Sequence, residues 1–172
     1  MIDLFRTRRS VRRFLDKKVE PEIIDELIKN ILTAPSSRGL KSAELIIITE
    51  KEILSTLSEC RGVSSSFIKD APLGIAIIAD PNVSDVWTED AAILAIFSQL
   101  AAHSLGLGSC WIQVRNRVTT GQESVEDYVK KALKIPDTYR VMCLIAIGYS
   151  AEEKAPQDEE KLKLDKVHKN QF

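Results

Sequence analysis

From about Asp85 to Leu105 the chain reads as one helix with apolar residues on nearly every side, closed by Gly106. A helix of that kind has to be covered all round, either at the centre of a domain or between subunits. What surrounds it is also legible. Glu44 to Thr49 and Leu73 to Ala79 are short, β-branched and bounded by breakers, so they read as buried strands, and Ser109 to Val114 and, most clearly, Arg140 to Ile147 read as two more. Pro21 sits where a first helical turn tolerates it, and Ile23, Ile24, Leu27, Ile28, Ile31 and Leu32 recur at helical spacing until Ala34-Pro35. Ile53, Leu54 and Leu57 suggest a short helix, and Ser124 with Asp127 three residues on opens another that runs to about Leu133. Helices and strands mixed in this order imply an α/β or α+β layer fold.

The chain has 172 residues, enough for one domain with a short extension. Surface scaling predicts roughly 8,400 Å² exposed after folding, so one ordinary core suffices. The 24 Lys and Arg balance 25 Asp and Glu. That balance argues against a general nucleic-acid binder, which needs a net basic face. The longest apolar runs fall far short of the roughly 20 residues that span a bilayer. The first ten residues lack the apolar core of a secretory signal. Cys60, Cys110 and Cys143 are odd in number and show no CxxC spacing, which fits reduced thiols in a cytoplasm.

Arg6, Arg8, Arg9, Arg12 and Arg13 surround Ser10 in an otherwise charge-neutral chain. Guanidinium forks converging with a hydroxyl suit a phosphate monoester, and a solvated basic segment is the plainer alternative. Pro35-Ser36-Ser37-Arg38-Gly39 reads either as a turn or as a polar loop wrapping a ligand. The glycines of Gly106-Leu107-Gly108 close a helix and open a strand, the reverse of a Rossmann fingerprint, so that site is rejected. No P-loop, HExxH or G-x-S-x-G elbow occurs. His103 and Cys110 make a thiolate–imidazole pair conceivable, against the plainer reading of a core or interface histidine. Asp158, Glu159 and Glu160 read as a solvated tail cluster, and no metal site is expected.

Taken together, the segments resemble the FMN-dependent nitroreductase family in its short single-domain form. The resemblance rests on Arg8-Arg9-Ser10-Val11-Arg12-Arg13-Phe14, then Ala34-Pro35-Ser36-Ser37, then Lys69-Asp70-Ala71-Pro72. It continues with Ser104 to Ile112 and closes with Ile147-Gly148-Tyr149. It implies an α+β fold with a central, mostly antiparallel sheet flanked by helices. Residues 1–150 would form the FMN-binding domain of an intertwined homodimer, and 151–172 an extension packing on the partner subunit.

The same resemblance implies that Arg8, Arg9 and Ser10 bind the phosphate and ribityl chain of FMN, with Arg12 near the pyrimidine edge of the ring. From the other subunit, Pro35, Ser36 and Ser37 would line the ring, and the backbone at Cys110, Trp111 and Ile112 would face it. Lys161 aligns with a late basic phosphate ligand. NADH or NADPH would be the co-substrate, and a nitroaromatic, quinone or similar electrophile the acceptor. No side chain is expected to be catalytic, because the flavin carries the chemistry. The family's usual Asn and Gln-Pro-Trp are replaced by Gly39 and Lys41-Ser42-Ala43. That change suggests a different substrate pocket and keeps a flavin-binding sensor or interaction module as the alternative function.

Overall fold

Every residue of Leu73–Ala79 is buried, which places this strand at the centre of whatever sheet it joins. In the computed structural model, which describes residues 2–172, it is β2 of a four-stranded sheet. The strands are β1 (Ala43–Ile48), β2, β3 (Gly108–Gln113) and β4 (Arg140–Gly148), in the order β1-β2-β4-β3. All three pairings are antiparallel, with Ile75 opposite Ile47 on one side and Ile145 on the other. The expected sheet is present, and each strand lies within one residue of its expected ends.

Two apolar layers cover the sheet. On one face, α2 (Pro21–Leu32) and α4 (Trp87–Ser104) enclose a cluster containing Leu27, Ile31, Leu94, Ala95 and Ile145. On the other, α3 (Lys51–Ser58) and α5 (Val125–Leu133) enclose Leu54, Leu57, Val129 and Leu144. The α5 helix starts as its sequence predicts, with the Ser124 hydroxyl accepting from the Asp127 N–H at 3.4 Å. Glu126 then ties that helix to β4. Burial opposes its charged form, but two hydrogen bonds from Arg140, at 2.7 and 2.8 Å, and one from the Val141 N–H hold its carboxyl below the usual range.

Three features escape sequence periodicity. A six-residue helix, α1 (Ile2–Thr7), opens the chain, and 3₁₀ turns occupy Gly62–Ser64 and Ser66–Asp70. From Ser150 to Gln157 the chain runs back along the N-terminal segment, and beyond it the 3₁₀ turns at Glu159–Lys161 and Leu164–Lys166 are exposed throughout. No helix among the described residues is long and apolar enough to cross a membrane.

Candidate cofactor site

Near each of its ends, α4 holds a loop from elsewhere in the chain. At the N-terminal end, the Asp90 carboxylate is buried and accepts three hydrogen bonds: Ser37 N–H at 2.7 Å, Ser42 hydroxyl at 3.1 Å and Ser84 hydroxyl at 3.2 Å. These bonds pin the loop carrying Pro35, Ser36 and Ser37. The loop turns sharply, with Arg38 and Lys41 at φ 52° and 51°. It is tied further by Lys41 N–H to the Ser36 hydroxyl at 2.9 Å and by Arg38 to Asp85 at 2.6 Å.

At the C-terminal end, His103 meets Thr7 with 2.7 Å between Nε2 and Oγ1. The Thr7 hydroxyl gives its only proton to the Asp3 carbonyl, so Oγ1 accepts from an Nε2–H. Nδ1 is then the nitrogen that titrates. Burial, followed by the nearby Arg8 guanidinium, lowers the His103 pKa from its ordinary 6.5 and favours the neutral ring.

After α1, the segment containing Arg8 to Phe14 crosses the ends of β3 and β4. Ser10 bridges Ser109 in parallel, and the Val11 N–H donates to the Ser109 carbonyl at 2.9 Å. The crossing is so close that a Cβ on Gly108 would stand 2.8 Å from Val11. The chain returning from β4 then closes over the segment. Ala151 N–H donates to the Arg13 carbonyl at 2.8 Å, Arg12 N–H to Glu152 at 2.7 Å, and Arg9 to the Ala155 carbonyl. The Arg12 N–H, with help from Lys154 at 3.4 Å, holds the Glu152 carboxyl below its usual range.

These contacts frame a cleft of about 230 Å³ lined by Arg8, Arg9, His103, Ser109, Ser150 and Lys154, with Thr7 and Glu152 at its rim. Arg8 is in no ion pair among the described residues. An unpaired guanidinium, further cations and several hydroxyls around one small cleft suit a phosphate monoester on a polyol chain, which is the non-ring half of FMN. The donor set therefore fits the cofactor that the sequence suggests.

The expected site residues fall into separate groups. Arg8, Arg9 and Ser10 come together with the start of β3. Cys110 and Ile112 turn their side chains into the core, while Trp111 is half-buried and donates its indole N–H to Gln113 at 2.9 Å. Because β3 is an edge strand, backbone groups on its outer side have no neighbouring strand to pair with. Arg12 is exposed, with its guanidinium 6.0 Å from the centre of the Phe67 ring. Pro35, Ser36 and Ser37 stand at the far end of α4. From Asp90 to His103 the helix rises about 20 Å.

Lys161 sits on an exposed turn, ion-paired with Asp158 at 3.1 Å. The tail cation that lines the cleft is Lys154. Thr7 and Lys154 are cleft residues that sequence reading passes over, and His103 is one that it reads as a partner of Cys110 or as a core or interface histidine. The only signal for His103 was a basic group in the last turn of a helix otherwise apolar. The conceivable Cys110–His103 nucleophile does not form. Cys110 is buried, burial pushes its thiol up, and His103 spends its N–H on Thr7.

Comparison with known proteins supports the same reading. The family model described as "Nitroreductase family" matches residues 5–61 and 55–149. A solved FMN-dependent nitroreductase from Clostridium difficile R20291 is 48% identical, with a TM-score of 0.96 and all of both chains covered. A Methanothermobacter thermautotrophicus protein, provisionally named NADH dehydrogenase/NAD(P)H nitroreductase, is 29% identical over 92% of this chain and 81% of its own length. The FMN reductase [NAD(P)H] of Bacillus subtilis is 28% identical over 86% of this chain and 64% of its own length.

Proposed function

The chain belongs to the nitroreductase family, and on that premise we propose that it is an FMN-dependent NAD(P)H oxidoreductase delivering electrons to a nitroaromatic, quinone or similar electrophile. The observation that carries this reading is the cleft at the C-terminal end of α4, where Arg8 stands unpaired among Arg9, His103 and Lys154. When bound, FMN supplies the redox chemistry, taking a hydride from the nicotinamide and passing electrons to the acceptor.

The chain's own residues bind and polarise. Arg8, Arg9 and Lys154, with Lys161 as a further candidate from the tail, offset the phosphate charge. Ser10 offers its hydroxyl to the ribityl chain, and the edge strand at Cys110, Trp111 and Ile112 presents backbone to the ring. The Arg12 cation favours negative charge on the pyrimidine edge.

We further propose a homodimer in which each site is completed by the other copy's Pro35–Ser37 loop. Within one chain that loop lies about 20 Å along α4 from the cleft, too far for one tricyclic ring to touch both. Two copies packed through antiparallel α4 helices would bring opposite ends together. The face for that packing is available: Ile93, Phe97 and Leu100 are only half-buried and Ile96 is 38% exposed. The chain exposes 10430 Å², well above the roughly 8,400 Å² expected of a monomer this size. Leu162, Leu164, Val167 and Phe172 contribute to that excess, and we read residues 151–172 as an arm over the partner. The three free thiols are buried, consistent with a reducing cytoplasmic setting.

An absorbance spectrum of the protein as purified, then stopped-flow mixing with NADH and NADPH, tests the function. A yellow protein that bleaches quickly and is reoxidised by a quinone or nitroaromatic is expected. A colourless protein that takes up no added FMN overturns the reading. A yellow protein inert to both nicotinamides makes it a flavin-binding module instead. For the dimer, Ile96→Glu is expected to shift sedimentation from two copies to one.

A further inference from the structure

Beyond Arg12, the N-terminal segment borders a second cleft of about 870 Å³, distinct from the phosphate-sized one and within the size range of organic-ligand sites. Its walls come from residues 12–19, the first turns of α2, the start of α3 with Thr49 just before it, the turn that ends at Pro72, and Ala151. Six cations line it against two carboxylates, Asp16 and Asp70, in a chain whose net charge is −1. Lys17 is engaged, with its ammonium 3.1 Å from Glu20 and 3.8 Å from the Tyr149 ring centre. Arg13, Lys18, Lys51 and Lys69 have no ion-pair partner among the described residues. The floor between them is apolar, formed by Phe14, Val19, Ile24, Leu54 and Pro72.

Four unpaired like charges around one concavity repel each other and draw in anions, and a polyanion relieves that repulsion. Their origin on three elements favours an anion with more than one charged group over a single carboxylate. The apolar floor favours an anion carrying a flat organic body, and the Asp16 and Asp70 carboxylates can accept from its hydroxyl or amino groups. The last residues, 163–172, are a poor occupant, because Lys163, Lys166 and Lys169 outnumber Asp165 there.

We propose that this cleft binds a nucleoside diphosphate, with the phosphates on Arg13, Lys18, Lys51 and Lys69 and the base on the apolar floor. The ligand is either a free nucleotide or the adenylate half of the nicotinamide co-substrate. Binding here requires no flavin chemistry, so this proposal and the proposed function fail separately.

The test is calorimetric titration of ADP into the full-length, FMN-saturated protein, alongside the Lys51→Glu/Lys69→Glu double variant. Saturation with FMN removes the phosphate-sized cleft from competition, and the unchanged flavin spectrum of the variant shows that it is folded. One ADP per chain is expected, weakened about tenfold or more by the double variant and by raising salt from about 0.05 to 0.3 M. No heat at millimolar ADP, or equal binding by the double variant, overturns the proposal. Inorganic pyrophosphate binding as tightly as ADP overturns the nucleoside assignment. If NADH or NADPH displaces ADP and the double variant raises KM for the nicotinamide without lowering kcat, the adenylate half is the ligand. If ADP binds while KM stays unchanged, the ligand is a free nucleotide.

Discussion

The two ends of α4 hold comparable polar groups in opposite conditions. Asp90 is complete: its charge is buried, and three donors from two segments converge on it. The His103 end is incomplete: one ring nitrogen is fixed by Thr7, and Arg8 and Arg9 beside it are in no ion pair among the described residues. A finished buried network positions a loop, whereas an unfinished half-open one awaits a ligand. The same helix thus carries a structural anchor at one end and a binding site at the other. Substitutions should separate the two roles.

The largest effect belongs to the finished end. Asp90→Ala leaves the Ser37 N–H and two hydroxyls without their acceptor and should cost about 3 kcal/mol of stability, read from the denaturant midpoint of the apoprotein. If the midpoint does not move, Asp90 is not an anchor. At the unfinished end the pattern should invert: Arg8→Ala should weaken FMN binding by about thirtyfold, near 2 kcal/mol, while leaving apoprotein stability within about 0.5 kcal/mol. Fluorescence titration with FMN measures the first quantity and denaturation the second.

The tail lysines sharpen the comparison. Lys154→Ala should weaken FMN severalfold, and Lys161→Ala by less than about twofold, because an exposed pair on its own turn contributes little. Equal losses would mean that the tail rearranges to bring Lys161 to the phosphate.

The smallest effect is a pH dependence. Folding lowers the His103 pKa, so the unfolded chain binds the extra proton more readily. The stability gained from the neutral ring is fully present above pH 6.5 and is lost as pH falls through the window below it. Because the ring is only half-buried, the wild type should lose less than about 1 kcal/mol more than His103→Gln between pH 7 and pH 5 in denaturant midpoints. An identical loss in both would remove His103 as the titrating group.

The fold was readable because its central strands, β2 and β4, are buried on both faces and so appear as apolar runs rich in β-branched residues, as in Leu73–Ala79. The turns at Gly62–Ser64 and Ser66–Asp70 were not, because short 3₁₀ pieces have no repeat long enough to register. At the site, the arginines around Ser10 stood out as cations in a neutral chain. Asp90 looked like an ordinary first-turn acid, since its three donors come from residues 37, 42 and 84. The sequence suggests Cys110, seven residues on, or a place in the core or an interface for His103, whereas its partner Thr7 lies 96 residues away. In the tail, alignment pointed to Lys161, and only coordinates distinguish it from Lys154, seven residues earlier.

The close crossing of the arginine segment over Gly108 bears on biosynthesis. Residues 10 to 14 find their partners far along the chain, at Ser109 and among Ser150 to Glu152. Such long-range closure leaves the nascent arginines idle on the ribosome until the chain through Glu152 has emerged. A product stalled before residue 108 would have its guanidinium groups but no groove to place them in, so flavin capture itself would report that synthesis had passed the segment that closes over them.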